Sequence, residues 1–221
     1  MAAAILLAPI PVATAVLTNA GAVAPGLVAL PCASGGALRP HRRGYCLGQR
    51  HYVTLPARTA LLSAAEELRR RHPDAAITYM SASWPIGRRP MPPHLSHGDG
   101  RQIDLALFYV DRDGRPLARP PTTTGYGAYE PPKREADRSC AGAERRARRN
   151  DGADPAADRS WRLDEARTRA LIQVLSADPG VRRIFLEPHL KTRLGFARDR
   201  KVRFAGCRAA RHDDHLHVDF F

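Results

Sequence analysis

The C-terminal stretch of the chain alternates between apolar and polar residues, and this pattern most limits how the chain can fold. From His215 to Phe220 the sequence reads His-Leu-His-Val-Asp-Phe. Successive side chains of a β-strand point to opposite faces, so the three apolar residues would enter a core. His215, His217 and Asp219 would share the other face. The pattern therefore predicts a sheet with one polar face whose side chains have a functional role besides packing.

A second stretch, Ser96–Asp104, carries His97 and Asp104 on either side of Gly100, which permits a sharp turn. We expect the two stretches to lie side by side as strands and to bring His97, Asp104 and His217 around one metal ion. A His/Asp/His set with a fourth position open to water is typical of catalytic zinc sites, where zinc activates water and polarises a carbonyl. Histidines on an exposed edge strand are the alternative interpretation, because the chain contains nine histidines.

Size and charge narrow the class of protein. The chain has 221 residues, 43% of them hydrophobic and 26% charged, which suits one globular domain with additional segments. Its net charge of +13 comes almost entirely from arginine. Such a charge favours anionic surroundings, namely nucleic acid, anionic lipid or an acidic cell-wall polymer, although an arginine-rich composition alone would also produce it. No nucleic-acid-binding motif is recognisable, so we expect no nucleic-acid partner.

Helical and strand patterns alternate irregularly along residues 51–221 and predict an α+β domain. One helix should begin at Pro56 and end near Arg71, and another should run from the N-cap Asp164 to about Ala177. The remaining predicted elements are strands at 51–55, 76–83, 104–110 and 181–186, and a short helix at 188–194.

Three segments lie outside this pattern. Residues 1–31 are uncharged and apolar and predict a signal peptide or a membrane anchor. Residues 32–50 are rich in Gly and Arg and predict a basic linker. Residues 112–160 form a polar insertion, expected to be a functional flap or partly disordered. Within it, residues 122–129 could line a cleft, but a surface hairpin is favoured, and the basic cluster at 145–149 suggests a solvated face.

The four cysteines lack any C-x-x-C pair, which argues against a cysteine zinc site. In an exported protein they would form two disulfides, with three connectivities open. We favour Cys32 with Cys46 and Cys140 with Cys207, and free buried thiols are the alternative.

At this point the sequence resembles a known family. The patterns S-H-x-x-G-x-x-x-D at 96–104 and H-x-x-H-x-H-V at 212–218 look like those of the penicillin-insensitive murein endopeptidases. These enzymes are grouped with lysostaphin-type enzymes, D-Ala-D-Ala dipeptidases and the hedgehog signalling domain. The resemblance covers residues 75–111 and 160–221, and it implies a central, mainly antiparallel sheet flanked by helices.

The resemblance also implies roles for particular residues. His97, Asp104 and His217 would bind zinc, His215 would be a catalytic acid/base or oxyanion stabiliser, and His212 would be a further active-site histidine. Asp214 stands where the endopeptidases carry an aromatic residue. It lies three residues before His217, where the dipeptidases place a glutamate general base, so it is a second candidate base, although strand alternation points it away from His215.

Asp213 and Asp219 could orient ligand histidines from outside the ligand set. The implied activity is zinc-dependent hydrolysis of amide bonds in peptidoglycan peptide cross-links, and the implied location is periplasmic or otherwise extracytoplasmic. The alternative is a noncatalytic, metal-containing module of the same fold that binds the cell wall or a partner.

Overall fold

The computed structural model describes residues 23–87, 91, 94, 96–134, 140 and 159–221. The predicted basic cluster at 145–149 and most of the apolar segment 1–31 lie outside this part of the chain. The elements in chain order are β1 (Leu27–Ala29), β2 (Leu38–Pro40), α1 (Arg43–Leu47), β3 (Tyr52–Thr54), α2 (Leu55–Arg71), β4 (Ile77–Tyr79), β5 (Gln102–Ala106), β6 (Tyr109–Asp111), β7 (Trp161–Leu163), α3 (Glu165–Ala177), β8 (Val181–Phe185), α4 (Pro188–Arg193), β9 (Val202–Arg203) and β10 (His215–Phe220).

A six-stranded sheet in the order β2-β4-β5-β10-β8-β9 forms the centre of the fold and confirms the α+β class. The three inner pairings are antiparallel, whereas β2–β4 and β8–β9 are parallel. The sheet is therefore mixed, and the expectation of a mainly antiparallel sheet holds only for its middle. The two parallel pairings lie at the edges, where strands of two or three residues leave little pattern in the sequence.

The two stretches singled out in the sequence are neighbours in this sheet. Strand β10 pairs with β5 in antiparallel register, and His217 lies opposite Asp104. Leu216 and Val218 point to the other face and are fully buried, as the alternation predicted. The polar face of β10 and the end of β5 thus meet at one place.

The two long helices begin close to the predicted positions, α2 one residue before Pro56 and α3 directly after the predicted cap Asp164. The Thr54 hydroxyl accepts a hydrogen bond from the Ala57 amide at 3.4 Å, and the Asp164 carboxylate accepts one from the Arg167 amide at 3.0 Å. Apolar residues of both helices join one buried cluster with Leu216 and the other inward residues of β10. The helices therefore cover the apolar face of the sheet, and the polar face remains available for a site.

Residues 32–50 differ from the prediction. They contain α1 and the edge strand β2 instead of a linker, and β2 pairs with β4. The end of the apolar segment also belongs to the domain, since β1 pairs with β3. The strand predicted at 104–110 is interrupted, because β5 ends at Ala106 and β6 pairs with β7 in a separate sheet.

Two disulfides close the fold, with the pairing favoured from the sequence: Cys32 with Cys46 and Cys140 with Cys207. The second disulfide joins the 112–160 insertion to the segment before β10. Within the described ranges, none of the helices has both the length and the apolar character needed to cross a bilayer.

Candidate metal centre

Three donor atoms from the predicted ligands converge on the polar face of the sheet. His97 Nε2 lies 3.2 Å from Asp104 Oδ1, His217 Nδ1 lies 3.0 Å from the same oxygen, and the two nitrogens are 3.1 Å apart. A tetrahedral ion with bonds of about 2.0–2.1 Å holds its ligand atoms about 3.3 Å apart. The triangle therefore fits the ligand shell of one small divalent ion, contracted by a few tenths of an ångström.

The far side of each imidazole fixes which nitrogen faces the centre. The Ala82 carbonyl accepts a hydrogen bond from His97 Nδ1 at 2.9 Å, so Nε2 of His97 carries the lone pair toward Asp104. The Asp219 carboxylate accepts a hydrogen bond from His217 Nε2 at 3.2 Å, so Nδ1 of His217 carries the lone pair toward Asp104. Metal-binding histidines characteristically have such an outer acceptor. The suggestion that Asp219 orients a ligand histidine thus agrees with the contacts.

The turn that carries His97 depends on Gly100. Gly100 has φ +78°, and a Cβ there would lie 2.3 Å from Leu27 Cδ2 and 3.0 Å from the Thr54 amide nitrogen. The Gly100 carbonyl accepts a hydrogen bond from that amide at 2.9 Å. Only glycine allows both the left-handed backbone and this close approach. The glycine in the sequence motif therefore holds the His97 loop against β3.

The electrostatics of the centre favour positive charge. Asp104 is fully buried, and although burial alone would raise its pKa, the surrounding histidines hold the pKa well below the usual value. Burial disfavours the charged form of His217 and so lowers its pKa, but contacts with Asp104 and Asp219 outweigh this effect and raise the pKa to about 9. The carboxylates thus stabilise a cation at this position, which a metal ion also provides.

His94 is a member of the centre that the sequence interpretation missed. Its Nδ1 lies 3.1 Å from Asp104 Oδ2, and with His97 and Asp104 it forms a group whose ligand atoms are close enough to hold one ion. A histidine three residues before His97 was the signal available in the sequence. The Pro-rich loop around it has no periodicity, so its direction could not be inferred.

His215 lies beside this centre and is held by its neighbour Asp214. His215 Nε2 is 3.7 Å from Asp104 Oδ1, and His215 Nδ1 is 2.5 Å from Asp214 Oδ1. The expectation that strand alternation turns Asp214 away from His215 was wrong, because β10 begins only at His215 and the residue before it is free of the alternation. The other carboxylate oxygen of Asp214 accepts a hydrogen bond from the Gly127 amide at 2.5 Å.

The two remaining candidates occupy different places. The His212 ring is buried and lies 5.0 Å from the His215 ring and 5.8 Å from the His217 ring, between centroids. His212 therefore belongs to the wall of the site. Asp213 pairs with Arg211 at 2.5 Å and not with a ligand histidine, so the contacts do not support an orienting role for it.

The first part of the 112–160 insertion crosses the polar face of the sheet. We call residues 116–130 the strap. The strap is anchored by the Tyr109 hydroxyl on the Ala128 carbonyl at 2.9 Å and by the Glu130 amide on the Asp213 carbonyl at 2.8 Å. The surface hairpin favoured for residues 122–129 is not what the structure shows: Gly125 and Ala128 are buried against the sheet, and Tyr126 lines the cleft.

Tyr126 is the strap residue that touches the centre. Its buried hydroxyl donates a 2.7 Å hydrogen bond to Asp104 Oδ2, and its ring meets the His215 ring edge-on at 5.1 Å. Burial, followed by the Asp104 charge, raises the pKa of Tyr126 well above the usual value, so the phenol stays a donor. The cleft in front of the centre is about 590 Å³ in volume and reaches from Tyr126 to Arg208.

A second group, Cys32, Cys46 and His51, also has ligand atoms close together. Its two sulfurs form a disulfide, and a disulfide sulfur is not the thiolate that binds metals. The histidine–aspartate centre is thus the metal-binding candidate of the described chain.

Comparison with known proteins leaves the family open. No protein-family model matches the sequence. A search of curated proteins also finds no match.

Proposed function

We propose that this chain is a zinc-dependent peptidase that hydrolyses amide bonds in the peptide cross-links of peptidoglycan. The observation that carries the proposal is the triangle of His97 Nε2, Asp104 Oδ1 and His217 Nδ1, with sides of 3.0–3.2 Å, beside His215 in an open cleft. Two nitrogens and one carboxylate oxygen suit zinc, and three protein ligands leave a position for water or substrate.

When bound, zinc would supply Lewis-acid polarisation of the scissile carbonyl and would acidify a water molecule. His215 would perform the proton transfers. Its Nδ1 faces the Asp214 carboxylate, so its Nε2 is presented to the cleft side of Asp104. From there His215 would take a proton from the attacking water and return it to the leaving amine. Asp214 would then be the group that orients His215.

The choice of peptidoglycan rests on two further features. The motifs at 96–104 and 212–218 resemble those of murein endopeptidases, and Asp104 and His217 of those motifs meet across β5 and β10. The net charge of +13 suits an anionic cell wall. The two disulfides agree with a periplasmic or other extracytoplasmic location, where the part of the apolar segment that precedes β1 would act as signal or anchor.

The test combines metal analysis with digestion of purified sacculi. We expect the wild-type chain to bind about one zinc ion, from the three-ligand geometry, and to convert cross-linked muropeptides into monomers detected by mass spectrometry. His215→Ala should retain zinc and lower the rate by about 10²–10⁴-fold. A wild-type chain that binds zinc and wall fragments but leaves the muropeptide profile unchanged would favour the noncatalytic module.

A further inference from the structure

One wall of the cleft is built from residues 205–210, which precede β10. Ala205, Ala209 and Ala210 line this wall, and their small side chains leave space in front of the metal centre. Arg208 lies among them and is the one long side chain of this segment that lines the cleft. The wall therefore presents a single guanidinium beside an otherwise open surface.

The backbone around Arg208 is fixed at two points. The Ala209 amide donates a hydrogen bond to the Gly206 carbonyl at 3.2 Å and closes a tight turn over residues 206–209. Cys207, the residue before Arg208, is joined by a disulfide to Cys140. A cation held on such a turn loses less conformational freedom on binding a ligand than one on a loose loop.

The charges that line the cleft are compensated, with one exception. Arg183 pairs with Asp219 at 2.6 Å, and Asp104 contacts the histidines of the centre. No carboxylate in the described part of the chain pairs with Arg208, whose side chain is exposed. A guanidinium is a planar, two-pronged donor that matches a carboxylate.

We propose that Arg208 determines substrate specificity by binding a free carboxylate of the substrate close to the scissile amide. The substrates would then be acidic peptides, and those with that carboxylate converted to an amide would bind more weakly. This inference rests on the proposed function, because it assigns the carboxylate to a ligand in the same cleft.

The experiment measures binding as well as cleavage. The zinc-loaded full chain is titrated with N-acetyl-D-alanyl-D-alanine and with its C-terminal carboxamide. We expect the free acid to bind about 10-fold more tightly than the carboxamide, the size of one charge-assisted contact. Arg208→Gln should remove this preference, Arg208→Lys should keep part of it, and Arg198→Gln, an equal change of charge at an exposed residue outside the cleft, should leave it unchanged.

Two results would overturn the inference. Equal affinity of the wild type for the free-acid peptide and its carboxamide would mean that no cation of the cleft binds the carboxylate selectively. A preference that survives in Arg208→Gln would place the carboxylate on the metal and not on Arg208. If the preference depends on Arg208 but neither peptide nor sacculi are ever cleaved, the peptidase proposal fails while the carboxylate site stands. If peptide or sacculi are cleaved but acid and carboxamide bind equally, the carboxylate site fails while the peptidase proposal stands.

Discussion

His217 and Asp104 lie directly opposite each other across β10 and β5, with His217 Nδ1 3.0 Å from Asp104 Oδ1. Two adjacent strands of the central sheet thus set this part of the metal centre. The strand pairing itself therefore brings these two candidate ligand atoms together.

Replacing either member of this pair should abolish metal binding. We expect Asp104→Asn and His217→Ala to lower the zinc content from about one ion per chain to near zero, because a three-ligand site does not survive the loss of a ligand. Elemental analysis after dialysis measures this. His72→Ala, which removes a histidine at the end of α2, is the control and should retain zinc. Full zinc content in Asp104→Asn would contradict the assignment of the centre.

Asp214→Asn should slow hydrolysis while leaving zinc bound. Burial lowers the pKa of His215, but Asp214 and Asp104 outweigh it and raise that pKa above its ordinary value. Removing the Asp214 charge should lower the pKa of His215, so the limb of the pH–rate profile that reports His215 moves to lower pH. We expect a loss of rate of about 10²-fold or more, since an amide can also hold the imidazole in the wrong tautomer.

Asp213→Asn is the matched control for this variant. The Asp213 carboxylate pairs with Arg211, whose Nε lies 3.0 Å from Asp213 Oδ1. The Asp213→Asn variant should change the rate of hydrolysis little and should leave the position of the pH limb unchanged. A shift of the limb in Asp213→Asn but not in Asp214→Asn would contradict the orienting role of Asp214.

Asp74 gives a pH-dependent contribution to stability. Arg167 donates two hydrogen bonds to the Asp74 carboxylate, at 2.6 and 2.8 Å, and these lower the pKa of Asp74. A carboxyl group whose pKa is lowered by folding adds stability above its unfolded pKa of about 3.9 and loses it as the pH falls through the folded value. Because the Asp74 side chain is 57% exposed, we expect only about 0.5–1 kcal/mol.

Denaturant unfolding of Asp74→Asn and wild type checks this expectation. The free energies of unfolding should differ near pH 7 and converge as the pH falls below the folded pKa of Asp74, where the carboxylate is protonated in both states. Glu66→Gln removes the same charge from an exposed position of α2 that has no ion-pair partner in the described ranges, and it should show no such convergence. A difference between Asp74→Asn and wild type that persists unchanged in acid would rule out the ion pair as its cause.

The convergence of His97, Asp104 and His217 could be predicted from the sequence because its determinants are local. His215 and His217 share a face through the two-residue period of a strand, and Gly100 marks the turn between His97 and Asp104. Helices α2 and α3 were equally accessible, since each carries a cap and an apolar stripe over more than ten residues. To predict that the strands of the two motifs are adjacent, we needed only one further assumption, namely that the two motifs meet.

What the sequence did not predict depends on contacts between distant residues. Strands β2 and β9 have three and two residues, too few for a period, and their parallel direction depends on how the chain crosses the sheet. Tyr126 reaches Asp104 from a part of the insertion for which a surface hairpin was favoured over a cleft lining. Asp214 turns toward His215 because the strand starts after it, and boundaries are the least certain part of a sequence prediction.

Tyr126→Phe should weaken metal binding without removing it. The variant keeps the ring beside His215 but loses the hydrogen bond to Asp104 Oδ2, which restrains the ligand carboxylate. Loss of such an outer hydrogen bond lowers metal affinity by about 10–100-fold. Competition with a zinc chelator measures the affinity, and Tyr79→Phe, which removes a hydrogen bond to the Pro31 carbonyl outside the cleft, is the control. Equal affinities of Tyr126→Phe and wild type would separate Tyr126 from the metal site.

Gly125→Ala should displace the strap from the sheet. Gly125 has φ +88°, and a Cβ there would lie 2.3 Å from Sδ and 3.0 Å from Cγ of the fully buried Met80. Gly127 has the same φ, but a Cβ added to it meets nothing within 4 Å. Both alanine variants therefore carry the strain of a left-handed backbone, about 1–3 kcal/mol, and only Gly125→Ala also carries the clash.

The comparison of these two variants isolates the contact between strap and sheet. Gly125→Ala should have the lower free energy of unfolding, and it should also bind zinc more weakly, because Tyr126 follows Gly125 and would be drawn away from Asp104. Gly127→Ala should keep wild-type zinc affinity, since its amide still reaches Asp214 and Tyr126 stays in place. Equal losses of stability in the two variants would show that Met80 yields to the added methyl group, and the strap would then owe its position to its hydrogen bonds alone.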